Sequence, residues 1–151
     1  MSTAFTISVP AMFNGPPGSA NGGISAGLAA SQIDGPAEVS LRAPPPLETP
    51  MQVIKTDDGY EVRHDEQTVM LVRPTEALAP PPAAPGFEIA KSGPDHFPPV
   101  ETHAFPGCYV CGPERTEDGL CLFTGKPDGY DGVTDAWKPD ASLAGKDALI
   151  R

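Results

Sequence analysis

The sequence predicts an α+β fold: an antiparallel sheet curved around one buried helix. Two observations carry this. Residues 23–33, GISAGLAASQI, read as a helix with no charged face, since Ser25, Ala26, Gly27, Ala29, Ala30 and Ser31 are small and Ile24, Leu28 and Ile33 are apolar. A helix that is small or apolar all round belongs in an interior, and about eleven residues is too short to span a bilayer. The second observation is the set of segments around it. They alternate apolar and polar residues with a period of two, and the last three connections are too short for anything but antiparallel pairing.

Each element follows in order. Residues 4–9, AFTISV, set Phe5, Ile7 and Val9 against Thr6 and Ser8, a half-buried strand ended by Pro10. Asn14 to Gly23 is a glycine- and proline-rich loop, and the helix behind it stops at Asp34-Gly35-Pro36. Residues 38–42 alternate again, with Val39 and Leu41 on one face. Pro44-Pro45-Pro46 then forces extended chain that a sheet tolerates only at its edge or outside it. Residues 51–56 form a third strand, Asp57-Asp58-Gly59 a turn, residues 60–64 a fourth strand and residues 68–72 a fifth. The expected order is strand, helix, then a meander of about four strands. From Pro74 to Phe105 prolines dominate and an extended segment is expected, with at most a short helix near residues 87–91. Residues 133–137 read as one more strand.

Composition bounds the function. The chain has 151 residues, twenty prolines, sixteen glycines, a 39% hydrophobic fraction and a net charge of −10. That charge argues against nucleic acid and anionic membrane surfaces as partners, because both select basic patches. No segment is apolar enough to cross a membrane. No charge occurs before Asp34, but a basic n-region is missing and Pro10, Pro16 and Pro17 break any apolar run, so a signal peptide is not expected. Three cysteines, an odd number, do not make a secreted disulfide framework. A cytoplasmic location is the expectation.

The combination of FNGPPGSANGGISAGLAA, EVSLRAPPPLETPMQV, FPGCYVCGPERTEDGLCLF and AWKPDASL resembles hotdog-fold proteins of the acyl-CoA thioesterase superfamily. It is most similar to a bacterial group with two hotdog units in one chain, over about residues 4 to 150. The resemblance implies a hotdog fold, an antiparallel β-sheet wrapped around a central helix. It places a first unit at residues 1–75, a Pro-rich linker at 76–104, and the opening strands of a second, incomplete unit at 105–151, without that unit's helix. It also implies an acyl-CoA or related acyl thioester as ligand, hydrolysed or bound at the start of the central helix. The alternative is a non-catalytic hotdog module for acyl binding or assembly. Hotdog units pair edge to edge, so a homodimer or a higher even oligomer is expected, with a composite ligand site near Asn21 to Gly23.

The residues themselves favour binding over chemistry. Gly22 and Gly23 permit close approach, and a helix start carries partial positive charge that stabilises an oxyanion. Asn14 and Asn21 add polar groups, which makes Asn14, Asn21, Gly22 and Gly23 the candidate substrate-binding set. Between Phe13 and Ile33 there is no Asp, Glu, His or Cys. Asn21 can orient a water but cannot act as a general base, so no catalytic residue is assigned. Cys108-x-x-Cys111, with Cys121, His96 and His103 in the same region, suggests zinc, but a structural site needs a second ligand pair at knuckle spacing. A redox pair wants a following helix, where Gly112-Pro113 makes a turn. Structural cysteines are the favoured reading, with no metal and no cofactor. Tyr109 and Trp137 read as core residues and His64 as a solvated or satisfied histidine rather than a catalyst.

Overall fold

The structure is a computed structural model that describes residues 5–76 and 80–143. These fall into two compact units, divided between the two described stretches.

In the first unit, β1 (Phe5–Ile7), α1 (Gly22–Ala30), β2 (Ala37–Leu41), β3 (Met51–Thr56), β4 (Gly59–His64) and β5 (Gln67–Pro74) follow in order. The five strands form one sheet, ordered β1-β3-β4-β5-β2, with every pairing antiparallel. The α+β reading therefore holds at the level of a mixed helix–strand unit with an antiparallel sheet. Alternation explains which face is buried. Ile7 pairs with Met51, Val53 with Val62, Val62 with Met70 and Val39 with Val72, so one side of the sheet is a continuous apolar surface. Met51, Val53, Val62, Met70 and Val72 have no accessible surface at all. Burying each such side chain is worth about 1.5–3 kcal/mol.

The expected meander is corrected. Only β3, β4 and β5 are consecutive neighbours, while β2 lies at the far edge beside β5. The proline segment after β2 makes the crossing possible. Prolines cannot donate to a ladder, so this stretch leaves the sheet. It reaches the opposite side, where Leu47 bridges Val9 and Glu48 N–H donates to the Val9 carbonyl at 2.9 Å. A bulge between β4 and β5 moves the register at Val62/Arg63. The extra residue, Val69, is buried, and its carbonyl accepts from the N–H groups of Arg42 and Ala43.

The helix is also corrected. It begins one residue earlier and ends three residues earlier than expected, and it is buried on one side only, through Ile24, Ser25 and Ala29. It packs on β2 and β5. Gly23, Ala26, Gly27 and Ala30 line an open groove of about 670 Å³ together with Ile33 and Val39. Absence of charge did not guarantee burial, because small side chains lose little by facing water.

The second unit is built differently. It contains a short helix, α2 (Phe87–Ala90), and 3₁₀ turns at Gly93–His96 and Ala141–Leu143. The strand expected at residues 133–137, and with it the opening strands of a second sheet, reduces to a single bridge between Gly125 and Thr134 among the described residues. Residues 80–104, expected as linker, are packed into this unit. Thr134 Oγ1 donates to the Ala90 carbonyl at 3.1 Å, and a Cβ placed on Gly93 would lie 2.0 Å from the Thr134 carbonyl oxygen. Cys108, Tyr109 and Leu120 are buried, and Trp137 Nε1 donates to the Leu120 carbonyl at 2.8 Å.

Candidate functional site

The start of α1 is held by its own loop. Pro16 to Ser19 make a tight turn, with Gly18 in the left-handed region at φ 74°, and Gly15 N–H donates to the Ser19 carbonyl at 2.9 Å. The loop is latched to the proline segment. Ala20 N–H donates to the Pro45 carbonyl at 2.9 Å, and Ser19 Oγ donates to the same oxygen at 3.3 Å. Asn21 N–H donates to the Phe13 carbonyl at 2.8 Å. The loop's own donors are thus spent on structure rather than aimed at a ligand.

Asn21 is the N-cap of α1. Its Oδ1 accepts from Ile24 N–H at 3.2 Å, and its carbonyl accepts from Ser25 N–H at 3.0 Å and Ser25 Oγ at 2.9 Å. A side-chain oxygen in this role satisfies one of the helix's orphan donors. The sequence reading of Asn21 as a water-orienting group is therefore replaced, for that oxygen, by a capping role. Asn14 bridges Ala20 across the loop. The N–H groups of Gly22 and Gly23 belong to the first turn of α1, where no intrahelical carbonyl can reach them.

Two hollows meet these glycines. Gly23 borders the groove along the open helix face, whose one ionisable lining residue is Asp34. Gly22 lines a cleft of about 370 Å³ formed with Leu41, Arg42, Pro44 and Pro45. Of the four candidate residues, Gly22 and Gly23 border hollows, whereas Asn14 and Asn21 shape the loop behind them. A Cβ on Gly22 would stand 3.1 Å from Leu41 Cδ1, so the absence of a side chain there keeps the cleft open.

Sequence reasoning missed Arg42. The signal was available: a cation two residues before a triple proline, the segment that must fold back past the helix start. No Asp, Glu, His or Cys lines the cleft. The arrangement can hold a negatively charged or carbonyl oxygen at the positive end of α1 and anionic groups near Arg42. It supplies no general base.

The cysteine region was the other candidate site. Among the described residues, no group of three His, Cys, Asp or Glu side chains is placed to hold a metal ion. Cys108, Cys111 and Cys121 form no disulfide among the described residues. Burial pushes the Cys111 thiol up to about 11, and its hydrogen bond with Cys108 acts in the same direction. Since the thiolate is the nucleophile, this suppresses reactivity near neutral pH. Cys121 Sγ lies 3.3 Å from the Arg115 carbonyl oxygen and donates to it. Tyr109 is buried as expected, with Arg115 over its ring at 5.6 Å. His64 is half-exposed, 3.7 Å from Asp65.

No helix among the described residues is long and apolar enough to cross a membrane. No family model matches the chain, and no curated protein or solved structure matches it either.

Proposed function

We propose that this chain is a hotdog-type protein that binds an acyl thioester, such as an acyl-CoA, at the start of α1 without hydrolysing it. The observation that carries the reading is the cleft where Gly22 and Arg42 meet. Backbone donors in the first turn of a helix suit a thioester carbonyl. A neighbouring guanidinium suits the phosphates of a CoA-type carrier. The lining has no carboxylate, histidine or cysteine, which favours binding over the hydrolase alternative.

A second copy of the chain completes this reading. β2 is an edge strand. Thr75 N–H donates to Pro36 and Arg42 N–H donates to Val69, so alternation turns the backbone groups of Ala37, Val39 and Leu41 toward the open edge. Such an edge is a template for another strand, and the small residues of α1 beside it let a second backbone approach closely.

Calorimetric titration with an acyl-CoA series, combined with an assay of free thiol release, tests the proposal. The expected result is saturable binding with thiol release no faster than the blank. Arg42→Ala should weaken binding about tenfold, the value of one charge-assisted contact. Turnover at the same site would establish the hydrolase alternative, and no saturable binding would overturn both.

A further inference from the structure

The second unit carries an apolar cleft that the acyl-thioester reading does not use. It has a volume of about 250 Å³ and is lined by Phe97, Phe123, Pro94, Pro98, Pro99 and Pro113. The two phenyl rings lie 5.2 Å apart, tilted by 51°. Phe97 is backed by His103, also at 5.2 Å, and His103 Nδ1 accepts from Phe105 N–H at 3.1 Å, which fixes the imidazole. The walls are proline rings with locked φ. This surface is therefore formed before any ligand arrives, and binding on it immobilises few rotamers.

Exposed acidic residues flank the segments that line the cleft. Asp95, Glu101, Glu114 and Glu117 are exposed, and each lies within two positions of a residue lining the cleft. Between residues 92 and 118 the single Lys or Arg is Arg115. Asp118 holds it through two contacts, Nε to Oδ1 at 2.7 Å and Nη2 to Oδ2 at 2.8 Å. The unopposed charge around the cleft is negative.

We infer that this cleft is a docking site for a proline-rich peptide carrying lysine or arginine beside its prolines. Flat aromatic rings between rigid walls accept pyrrolidine rings of an extended polyproline helix, a ligand already close to its bound shape. The acidic rim supplies the second half of the recognition by selecting cations and rejecting anionic ligands. The chain's own proline run does not meet this requirement. Residues 80–86, PPPAAPG, contain no Lys or Arg, and the Ala83 carbonyl accepts from Tyr130 O–H at 3.2 Å.

The test uses the whole 151-residue chain. A fluorescent peptide with two P-x-x-P repeats and flanking arginines is titrated by anisotropy, beside a peptide of equal charge with alanine in place of proline. Saturable binding of the first peptide is expected, weakening about tenfold in Phe123→Ala, the size of one aromatic anchor. A double variant, Glu114→Gln with Glu117→Gln, changes only exposed side chains and keeps the test valid where Phe123→Ala does not fold. It should weaken binding several-fold at low salt and less at high salt. Equal binding of the alanine peptide, or no response to the Glu114/Glu117 pair, would overturn the proposal. So would a light-scattering mass showing that a second copy of the chain displaces the peptide.

Discussion

The two units reach a fixed structure by different means. In the first, identity is distributed. Five strands in register bury a row of Val and Met side chains, and any one of them is supported by neighbours on both sides. In the second, identity is concentrated at a few points where backbone meets backbone. A Cβ on Gly93 would come within 2.0 Å of the Thr134 carbonyl oxygen, and one on Gly125 within 2.1 Å of the Gly93 carbonyl oxygen. Side chains then tie loop to loop: Phe123 N–H donates to Asp135 Oδ2 at 2.7 Å, and Trp137 spans to Leu120. A sheet is specified by a pattern, a loop-built unit by particular residues.

The sharpest way to break this comparison is Gly93→Ala. The added methyl cannot be accommodated without moving the Thr134 backbone, so a loss of about 3 kcal/mol or more is expected. Amide exchange read by residue should show lost protection around residues 93 and 125–134 while the β3–β5 ladders stay protected. Uniform loss across both units would erase the distinction.

Met70→Ala comes next. Met70 is fully buried opposite Val62 and Leu41, and truncation should cost about 2–5 kcal/mol by denaturant unfolding. The cost should fall at the low end where the side chains around it collapse into the space. An unchanged midpoint would mean that the core is not where the register puts it.

Asn21→Ala tests the loop that frames the candidate site. Loss of the cap to Ile24 N–H should cost about 1 kcal/mol. Asn21→Asp should retain most of that stability, because a carboxylate caps equally well and complements the helix dipole. If alanine and aspartate behave alike, the cap is not what holds Asn21.

The smallest effect concerns the sheet surface. Thr68 Oγ1 donates to Glu61 Oε1, and this bond, followed by that from Arg63 at 2.9 Å, lowers the Glu61 carboxyl below its usual range. A lowered folded-state pKa contributes stability that is present above the unfolded value and is lost as pH falls through the folded value. Glu61→Gln should therefore be slightly less stable than the parent at neutral pH, and the two should converge in acid. A difference that persists below the carboxylate range would point to packing instead of charge.

How much of this was legible follows the same division. β3 was delimited by alternation to the residue, and β4 and β5 to within two at each end, because a half-buried strand writes its period directly into the chain. The breaker at Asp34-Gly35-Pro36 was read from local chemistry, and the helix start was expected at Gly23, one residue after the observed Gly22. Val133 to Trp137 was misread: its spacing suits a strand, but among the described residues Thr134 pairs only with Gly125, and its hydroxyl serves Ala90. A short apolar run holds no record of whether a partner strand exists.

By itself, then, the sequence determined the local elements of the first unit: which residues alternate, where the helix begins to within one residue, and which prolines and glycines interrupt. These depend on near neighbours along the chain. Tertiary structure alone decided that β2 lies beside β5 and not beside β3. It also decided that α1 leaves its small-residue face open, that Arg42 borders the cleft at Gly22, and that prolines and phenylalanines far apart in sequence share a second cleft. Such choices rest on contacts between distant segments, where the free-energy differences come from shape and burial rather than from any local preference.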